Sequence, residues 1–403
     1  MMSLFGRLIL VARRCMPRDG AQQATRFAST YVDYNGDDGG DDVSSDPSIR
    51  KSVFISQSTD VFTNLALEDW LYRNYDFADR HVLLLWRNDP CVVYGRHQNP
   101  WKECNIQAAE KRGIALARRN SGGGTVYHDN GNLNLSFFTP RERYNRKYNL
   151  QIITRALFRE WRLKSVIDEQ DDIVVEGDYK ISGAAAKLGR PNAYHHCTLL
   201  VGVDKNNLNL ALERKEDDII TNATTSVHSP IKNLLDVNSN IGIDKLITTI
   251  GKEYLRTNAL VLKDGGHKLL QKQMGFQFIN PSEGWFPGLD KLTNGFRSWS
   301  WNFGKTPKFT VTRAFEVTAH DGKAHRLNLR LDVQDGIVEE VRMSLPNELA
   351  SADLDQDASV VTNLCGTRYN HEITDNIIAA IGCKIDTSNT IHTENKSNVM
   401  ATQ

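Results

Sequence analysis

Three consecutive glycines, Gly122, Gly123 and Gly124, stand behind Arg118-Arg119-Asn120-Ser121 and ahead of Thr125-Val126-Tyr127-His128-Asp129. Successive glycines let a backbone approach a ligand closely and present neighbouring N–H groups as a concavity for an anion. The two arginines put positive charge beside it. A second chemical stretch begins at Asp172 and runs through Glu176-Gly177-Asp178 to Tyr179-Lys180-Ile181-Ser182-Gly183. Side chains alternate along a strand, so Lys180 and Ser182 share one face and Ile181 takes the other. Three alanines follow at 184–186 and leave room for a ligand beside the lysine. A third stretch, Tyr194-His195-His196-Cys197-Thr198-Leu199-Leu200-Val201, puts its adjacent histidines on opposite faces, which does not suit one shared metal. His97 and the small polar run at 222–227 complete the candidates. Together these residue types suit the binding of an anionic ligand with a lysine cation beside it.

The elements around the glycines decide what kind of cradle this is. Ile114 and Leu116 alternate with alanines upstream, and Leu133, Leu135 and Phe137 alternate with Asn132, Asn134 and Ser136 downstream, so strands are expected on both sides. A P-loop needs a Lys-Ser or Lys-Thr pair and a helix after its glycines, and a dinucleotide fold needs a strand-to-helix turn. Neither follows here. Asp129-Asn130-Gly131 reads as a tight hairpin turn with positive φ. Further strands are expected at 53–55, 81–86, 91–94 and 173–175. Helices are expected after a cap at Asp60 or Thr63, at 101–112 with Gly113 as its C-terminal stop, at 150–163 with Arg155, Arg159 and Arg162 outward, after Pro230, and at 243–255. Beyond 281–290, short strands over 299–343 and a helix near 374–381 suggest a small second domain.

The 403 residues carry 49 Lys+Arg against 49 Asp+Glu, so no global field draws the chain to nucleic acid or membrane, and anion binding must be local. The six cysteines are scattered with no Cys-x-x-Cys pair, which suggests neither a zinc site nor a disulfide scaffold. No apolar run approaches the roughly 20 residues that cross a bilayer. Residues 1–30 hold five arginines against the single acid Asp19, with Leu4, Phe5, Leu8, Ile9 and Leu10 as an apolar face, the pattern of a mitochondrial transit peptide. An acidic, glycine-rich linker is expected over 31–51, and a disordered polar tail over 385–403.

The three chemical stretches together resemble the lipoate–protein ligase A and lipoyltransferase family. Its Arg-Arg, Ser-Gly-Gly-Gly, aromatic, His-Asp, Gly-Asn pattern is matched over 118–132, its Lys-Ile/Val-Ser-Gly signature over 180–183, and its His-His-x-Thr-Leu-Leu signature over 195–200. The likeness runs from about 52 to 345, through the Trp-Ser-Trp-Asn-Phe-Gly-Lys-Thr-Pro-Lys-Phe segment at 299–309, and it is nearest to the family's mitochondrial lipoyltransferase branch.

The resemblance implies an α/β (α+β) fold: a mixed-sheet catalytic domain over 52–285 like that of biotin and lipoate ligases, and a small C-terminal α+β accessory domain over 286–384. It implies transfer of a lipoyl group, from lipoyl-AMP or a lipoylated glycine-cleavage H protein, to a lysine of the lipoyl domains of 2-oxoacid dehydrogenase acyltransferase subunits in the mitochondrial matrix. Lys180 becomes the catalytic residue. Arg118, Ser121, Gly122, Gly123, Gly124, Tyr127, His128, Asp129, Lys180, Ser182, Thr198 and Thr224 become the lipoyl-AMP-binding set. No tightly bound metal and a monomeric state are expected. Where the family often has an arginine ahead of the lysine, this chain has Gln170, followed by Asp171 and Asp172. The alternatives are a complete lipoate–protein ligase using Mg-ATP, an octanoyltransferase with Cys197 as thioester nucleophile, and a non-catalytic carrier-binding module.

Overall fold

The computed structural model describes residues 49–214, 218–227, 229–256, 274–318, 324–344, 357–359 and 364–380. The expected transit peptide and tail, and the expected linker as far as residue 48, lie outside the described residues. The chain divides into two compact units, one holding 218–222 and the residues from 308 onward, the other the remainder up to 307.

The larger unit is built on a mixed six-stranded sheet. Its strands are β1 (Arg50–Ser56), β2 (Arg80–Trp86), β6 (Asn132–Pro140), β10 (Ser182–Leu188), β11 (Asn192–Leu200) and β13 (Gly275–Ile279), in the order β10-β11-β6-β2-β1-β13. Strand β1 runs parallel to β2 and β13, and the remaining pairs are antiparallel. Arg50 and Lys51, expected in the linker, are the first residues of β1. A second sheet of three strands, β4 (Ala115–Arg118), β3 (Cys91–Tyr94) and β5 (Val126–His128), carries the glycines between β4 and β5. A third joins β7 (Val166–Ile167), β8 (Ile173–Val175) and β9 (Tyr179–Lys180).

Both faces of the large sheet are covered, and this fixes its sequence pattern. Leu83, Leu85, Leu133, Leu135, Phe137, Cys197 and Leu199 pack on one side with helices α4 (Arg146–Trp161) and α7 (Ile243–Leu255). Val82, Leu84, Trp86, Phe138 and Tyr194 pack on the other with helix α1 (Val61–Asn74). Asp60 caps α1 by accepting from the Thr63 N–H at 2.9 Å, and Leu65, Leu67 and Leu71 are its buried side. Hence the alternation in β6 separates two buried faces, and Asn132, Asn134 and Ser136 are as enclosed as the leucines between them.

Other expectations shift for identifiable reasons. Asp129-Asn130-Gly131 is not a hairpin turn, since β5 belongs to the small sheet and β6 to the large one. Glycine is required at 131 by proximity, because a Cβ there would lie 2.1 Å from the Gly202 carbonyl oxygen. The helix expected at 101–112 is two, α2 (Pro100–Glu103) and α3 (Ile106–Lys111), because the Asn105 side chain caps the second by accepting from the Ala108 N–H at 3.1 Å. Gly113 does end it, at φ +69°. Arg155 and Arg159 point not into solvent but to Glu253 on α7, at 3.1 and 3.5 Å. After Pro230 the chain forms a bridge, Ile231 to Lys180, and the helix starts later, as α6 (Leu234–Val237). Before this segment, α5 (Lys205–Leu212) follows the end of β11.

The expected domain boundary at 286 falls later. Phe286, Leu289 and Phe296 pack into the core beside α1, the last two from helix α8 (Leu289–Arg297), which is followed by helix α9 (Trp299–Asn302) where the sequence pattern suggests strands. The smaller unit is an antiparallel sheet in the order β12 (Ile219–Thr221), β14 (Phe309–Thr318), β15 (Ala324–Gln334), β16 (Ile337–Ser344) and β17 (Asp357–Ser359), with helix α10 (Glu372–Ala380). Leu327, Leu329, Leu331, Val333, Val338 and Val341 form its buried face.

Candidate active site

The strand carrying Lys180 is fixed by its neighbours before its side chain is considered. Strands β8 and β9 pair, the Lys180 N–H donates to the Pro230 carbonyl at 2.9 Å, and the Lys180 carbonyl accepts from the Lys232 N–H at 3.1 Å. Ile181 turns into the core with no exposed surface, so Lys180 and Ser182 face the other way together. Their side chains line a cavity of about 590 Å³ that Thr125, Val126, Tyr127, Gly183 and Thr198 also line. Leu200, Leu208, Leu212, Val227 and Ile231 supply apolar wall. The end of the glycine segment and the lysine strand, over fifty positions apart in the chain, therefore meet at one site.

The Lys180 ammonium is paired with the Asp172 carboxylate, whose side chain is only 8% exposed. Burial raises the Asp172 carboxyl above its ordinary range, with the lysine opposing that shift. Ser182 Oγ accepts from the Ile173 N–H at 2.7 Å, and Thr198 Oγ1 accepts from the Gly183 N–H at 3.0 Å. Both hydroxyls thus stand at the cavity wall in fixed orientation. Tyr127 is buried, which pushes its hydroxyl pKa up and keeps it protonated.

The glycines are shaped from beneath. Arg119 Nη2 donates to the carbonyls of Gly122 and Gly124, both at 2.6 Å, and its Nε reaches Ser121 Oγ and the Gly122 carbonyl at 3.1 Å. Across a trans peptide the carbonyl and the next N–H point oppositely, so each carbonyl drawn to Arg119 turns the following amide away from it. Among the described residues, the amides of Gly122, Gly123 and Gly124 donate to no protein acceptor. Gly123 has φ +85°, and a Cβ there would sit 2.9 Å from Arg119 Nη2. Gly95 is held just as closely, since a Cβ on it would lie 2.1 Å from the Gly123 carbonyl oxygen.

Arg118 does not reach the cavity. Its guanidinium lies 4.9 Å from the Tyr94 ring centre and donates to the carbonyls of Trp301, Asn302, Gly95, Arg96 and Gln98 and to Thr306 Oγ1, at 2.9 to 3.2 Å. Burial lowers the pKa of both arginines to about 10, so each remains charged near neutrality. Ser121 is buried against Arg119. His128 is buried with Nδ1 3.1 Å from Asn88 Nδ2, and burial lowers it to about 3. Asp129 orders the turn, accepting from the Gly131 and Asp204 N–H groups at 2.8 and 2.9 Å. None of Arg118, Ser121, His128 and Asp129 lines the cavity, nor do the three glycines or the exposed Thr224. His97, whose carbonyl accepts from the Thr224 N–H at 3.3 Å, also lies off the lining, and Gln170 is exposed.

Three residues of the site carry no sequence signal of their role. Asp172 reads from the sequence only as the start of a strand. Ser226 Oγ accepts from the Thr125 N–H at 2.8 Å and from Gln98 Nε2 at 2.9 Å, and it donates to Glu103. Glu103 is buried and also holds Arg214 at 3.1 Å. A serine in a polar run gives no sign of such a network, because its partners lie over 100 positions away. Cys197 is 1% exposed among the leucines facing α4 and α7, and burial pushes its thiol well up, away from the thiolate a nucleophile needs.

A mixed α/β domain thus brings the end of its glycine segment and its lysine strand to one cavity. A model of the lipoyl protein ligase A/B catalytic domain matches residues 60–255. The Mus musculus protein named lipoyl amidotransferase LIPT1, mitochondrial, is 40% identical over 304 residues, which span 75% of this chain and 78% of that protein. Lipoate-protein ligase A of Bdellovibrio bacteriovorus is 31% identical over 322 residues, 77% of this chain and 91% of that one. Among solved structures, P. falciparum LipL1 in complex with lipoate has a TM-score of 0.53 at 23% identity, covering 83% of this chain and 95% of that one, a likeness of fold. The chain belongs to the lipoyl protein ligase A/B family.

Proposed function

We propose that this protein transfers a lipoyl group to the ε-amino group of a lysine on a carrier protein, and that Lys180 is its catalytic residue. The observation that carries the reading is the position of the Lys180 ammonium at the wall of the cavity it shares with Tyr127, Ser182 and Thr198. The donor we propose is a lipoylated H protein or lipoyl-AMP, the acceptors the lipoyl domains of 2-oxoacid dehydrogenase acyltransferase subunits, and the compartment the mitochondrial matrix. The mouse relative's name, a mitochondrial amidotransferase, supports that choice of donor chemistry and compartment.

The acceptor lysine attacks as a neutral amine, a small minority near neutral pH for a group of pKa about 10.4. A new C–N bond forms at the acyl carbon. The bond to the donor breaks, either the C–N bond of a donor lysine amide or the C–O bond of an acyl phosphate. In the first case the proton lost by the attacking amine goes to the departing amine, like bonds are exchanged, and no ATP is consumed. In the second, AMP leaves as an anion and the proton passes to solvent. Negative charge develops on the acyl oxygen either way, and a fixed cation there lowers the barrier. Lys180 is that cation, and the buried Arg118 and Arg119 add positive potential behind the glycines, where a leaving phosphate is accommodated.

The test is donor-resolved turnover. Purified protein and an apo lipoyl domain are supplied either with lipoylated H protein or with lipoate and Mg-ATP, and product is read by mass spectrometry. Transfer from H protein without ATP is expected, and Lys180→Ala should reduce it by about 10²–10³-fold or more with the fold intact. Full activity in that variant removes the assigned role, and transfer only from lipoate and ATP makes the protein a ligase.

A further inference from the structure

Among the described residues Lys180 pairs with one carboxylate, and it comes from a strand end rather than from the glycine segment. Asp172 lies where β8 begins, and its position is set by a turn: its N–H donates to Asp168 Oδ1 at 2.8 Å, and its carbonyl accepts from the Asp168 N–H at 2.9 Å. Next to it, Asp171 is tied to Arg146 of α4 at 3.2 Å. The turn is thus anchored to a helix packed in the core. Lys180 lies on β9, which pairs with β8, and its backbone is also held by the 230–232 segment. Paired strands with a second anchor on each therefore bring one cation and one anion together beside the cavity, with the lysine side chain 24% exposed and the aspartate 8%.

We propose that Asp172 is a positioning residue for the transfer reaction, holding the Lys180 ammonium aimed at the acyl oxygen. The inference rests on the lipoyl-transfer reading of the same cavity. A lysine has four rotatable bonds and a strongly hydrated head, so without a partner its ammonium samples many positions and few of them touch a carbonyl in the cavity. A charge-assisted hydrogen bond removes that freedom. The other charges acting on Asp172 are Asp168 on its own turn and Arg146 of α4, itself paired with Asp171. These stay in place when Asp172 is replaced, so the change at Lys180 can be read separately.

Asp172→Asn keeps the shape and removes the charge. In steady-state transfer to an apo lipoyl domain, kcat is expected to fall about tenfold to a hundredfold, the range for loss of a hydrogen bond to a charged group, while KM for the carrier changes little. Asp172→Glu should recover part of the rate. Independently of turnover, competitive labelling of Lys180 with acetic anhydride, read by peptide mass spectrometry, should show the lysine more reactive in Asp172→Asn than in the wild type, because it loses the hydrogen bond that holds it. An unchanged labelling profile, or a fall in rate that follows only loss of folded protein by circular dichroism, overturns the proposal. If labelling shifts while the wild type transfers lipoyl from neither donor, the pairing stands and the reading of the cavity fails instead.

Discussion

The two arginines of the glycine motif and the lysine of the second strand are all cations near one cavity, yet they are embedded oppositely. Arg118 and Arg119 are 0% and 3% exposed, and their guanidinium forks are filled by backbone carbonyls and hydroxyls. Among the described residues Lys180 makes one ion pair; it keeps a quarter of its side chain exposed and lines the cavity. A rigid fork of five donors suits a residue that must hold several peptide planes at once, whereas a point charge on a flexible stem suits one that meets a changing ligand. Among residues that all look chemical in the sequence, one kind of cation holds the backbone and the other faces the cavity.

The sharpest way to break that distinction is to exchange the side chains' roles. Arg118→Lys keeps the charge but cannot reach the carbonyls of Gly95, Gln98 and Asn302 together. Several buried acceptors are left unpaired at about 1–3 kcal/mol each, and a loss of about 3–5 kcal/mol in a urea titration is expected. The protein that remains folded at low temperature should still transfer lipoyl. Lys180→Ala should show the reverse, with transfer reduced about 10²–10³-fold or more and a urea midpoint that falls less than in Arg118→Lys. If Arg118→Lys abolishes transfer at unchanged stability, the arginine touches substrate and the division between builder and actor collapses.

The same contrast explains what the sequence revealed. Local pattern located the strands at 81–86, 91–94 and 173–175 and the helix at 243–255, because hydrophobic spacing and caps act over a few residues. Of the residues that motif spacing singled out, Lys180, Ser182, Tyr127 and Thr198 line the cavity. It could not separate residues that line the cavity from residues that underpin it, since Arg118, Ser121, His128 and Asp129 differ from these only in which way tertiary packing turns them. Glu253 gathering Arg155 and Arg159, and the break of the 101–112 helix by the Asn105 cap, were hidden for the same reason. In β6, apolar and polar residues alternate as a strand requires, and a second covering layer buries both faces.

A smaller effect distinguishes the framework by pH. Burial lowers His81 to about 4, His128 to about 3, and His195 well below its ordinary value. An unfolded histidine takes up a proton near pH 6.5, so between that value and about 4 the unfolded chain binds protons that the folded one refuses. Stability should fall with decreasing pH across this window, by up to about 1.4 kcal/mol per unit for each such histidine. Asp172 contributes with the opposite sign, since its raised carboxyl favours the fold as pH falls through its folded-state pKa. Melting curves from pH 7.5 to 5.0 check this, and His128→Asn should flatten the decline. A midpoint that stays level across the window in the wild type would mean that these rings are not held neutral.

Ser226 tests the boundary between the two regions, since it belongs to both. It lines the cavity, and it also receives the Thr125 N–H at the end of the glycine segment and joins Gln98 to Glu103. Ser226→Ala removes two accepted hydrogen bonds and one donated to a carboxylate, leaving Glu103 with its Arg214 partner. A loss of about 1–2 kcal/mol in stability is expected. Because the serine shapes the wall and carries no charge, its removal should raise KM for the donor severalfold and leave kcat within about threefold, by the rule that uniform binding acts on KM alone. A kcat loss approaching that of Lys180→Ala would place Ser226 among the groups that act on the reacting atoms. In that case the cavity works through hydrogen bonding from its wall as much as through the charge of its lysine.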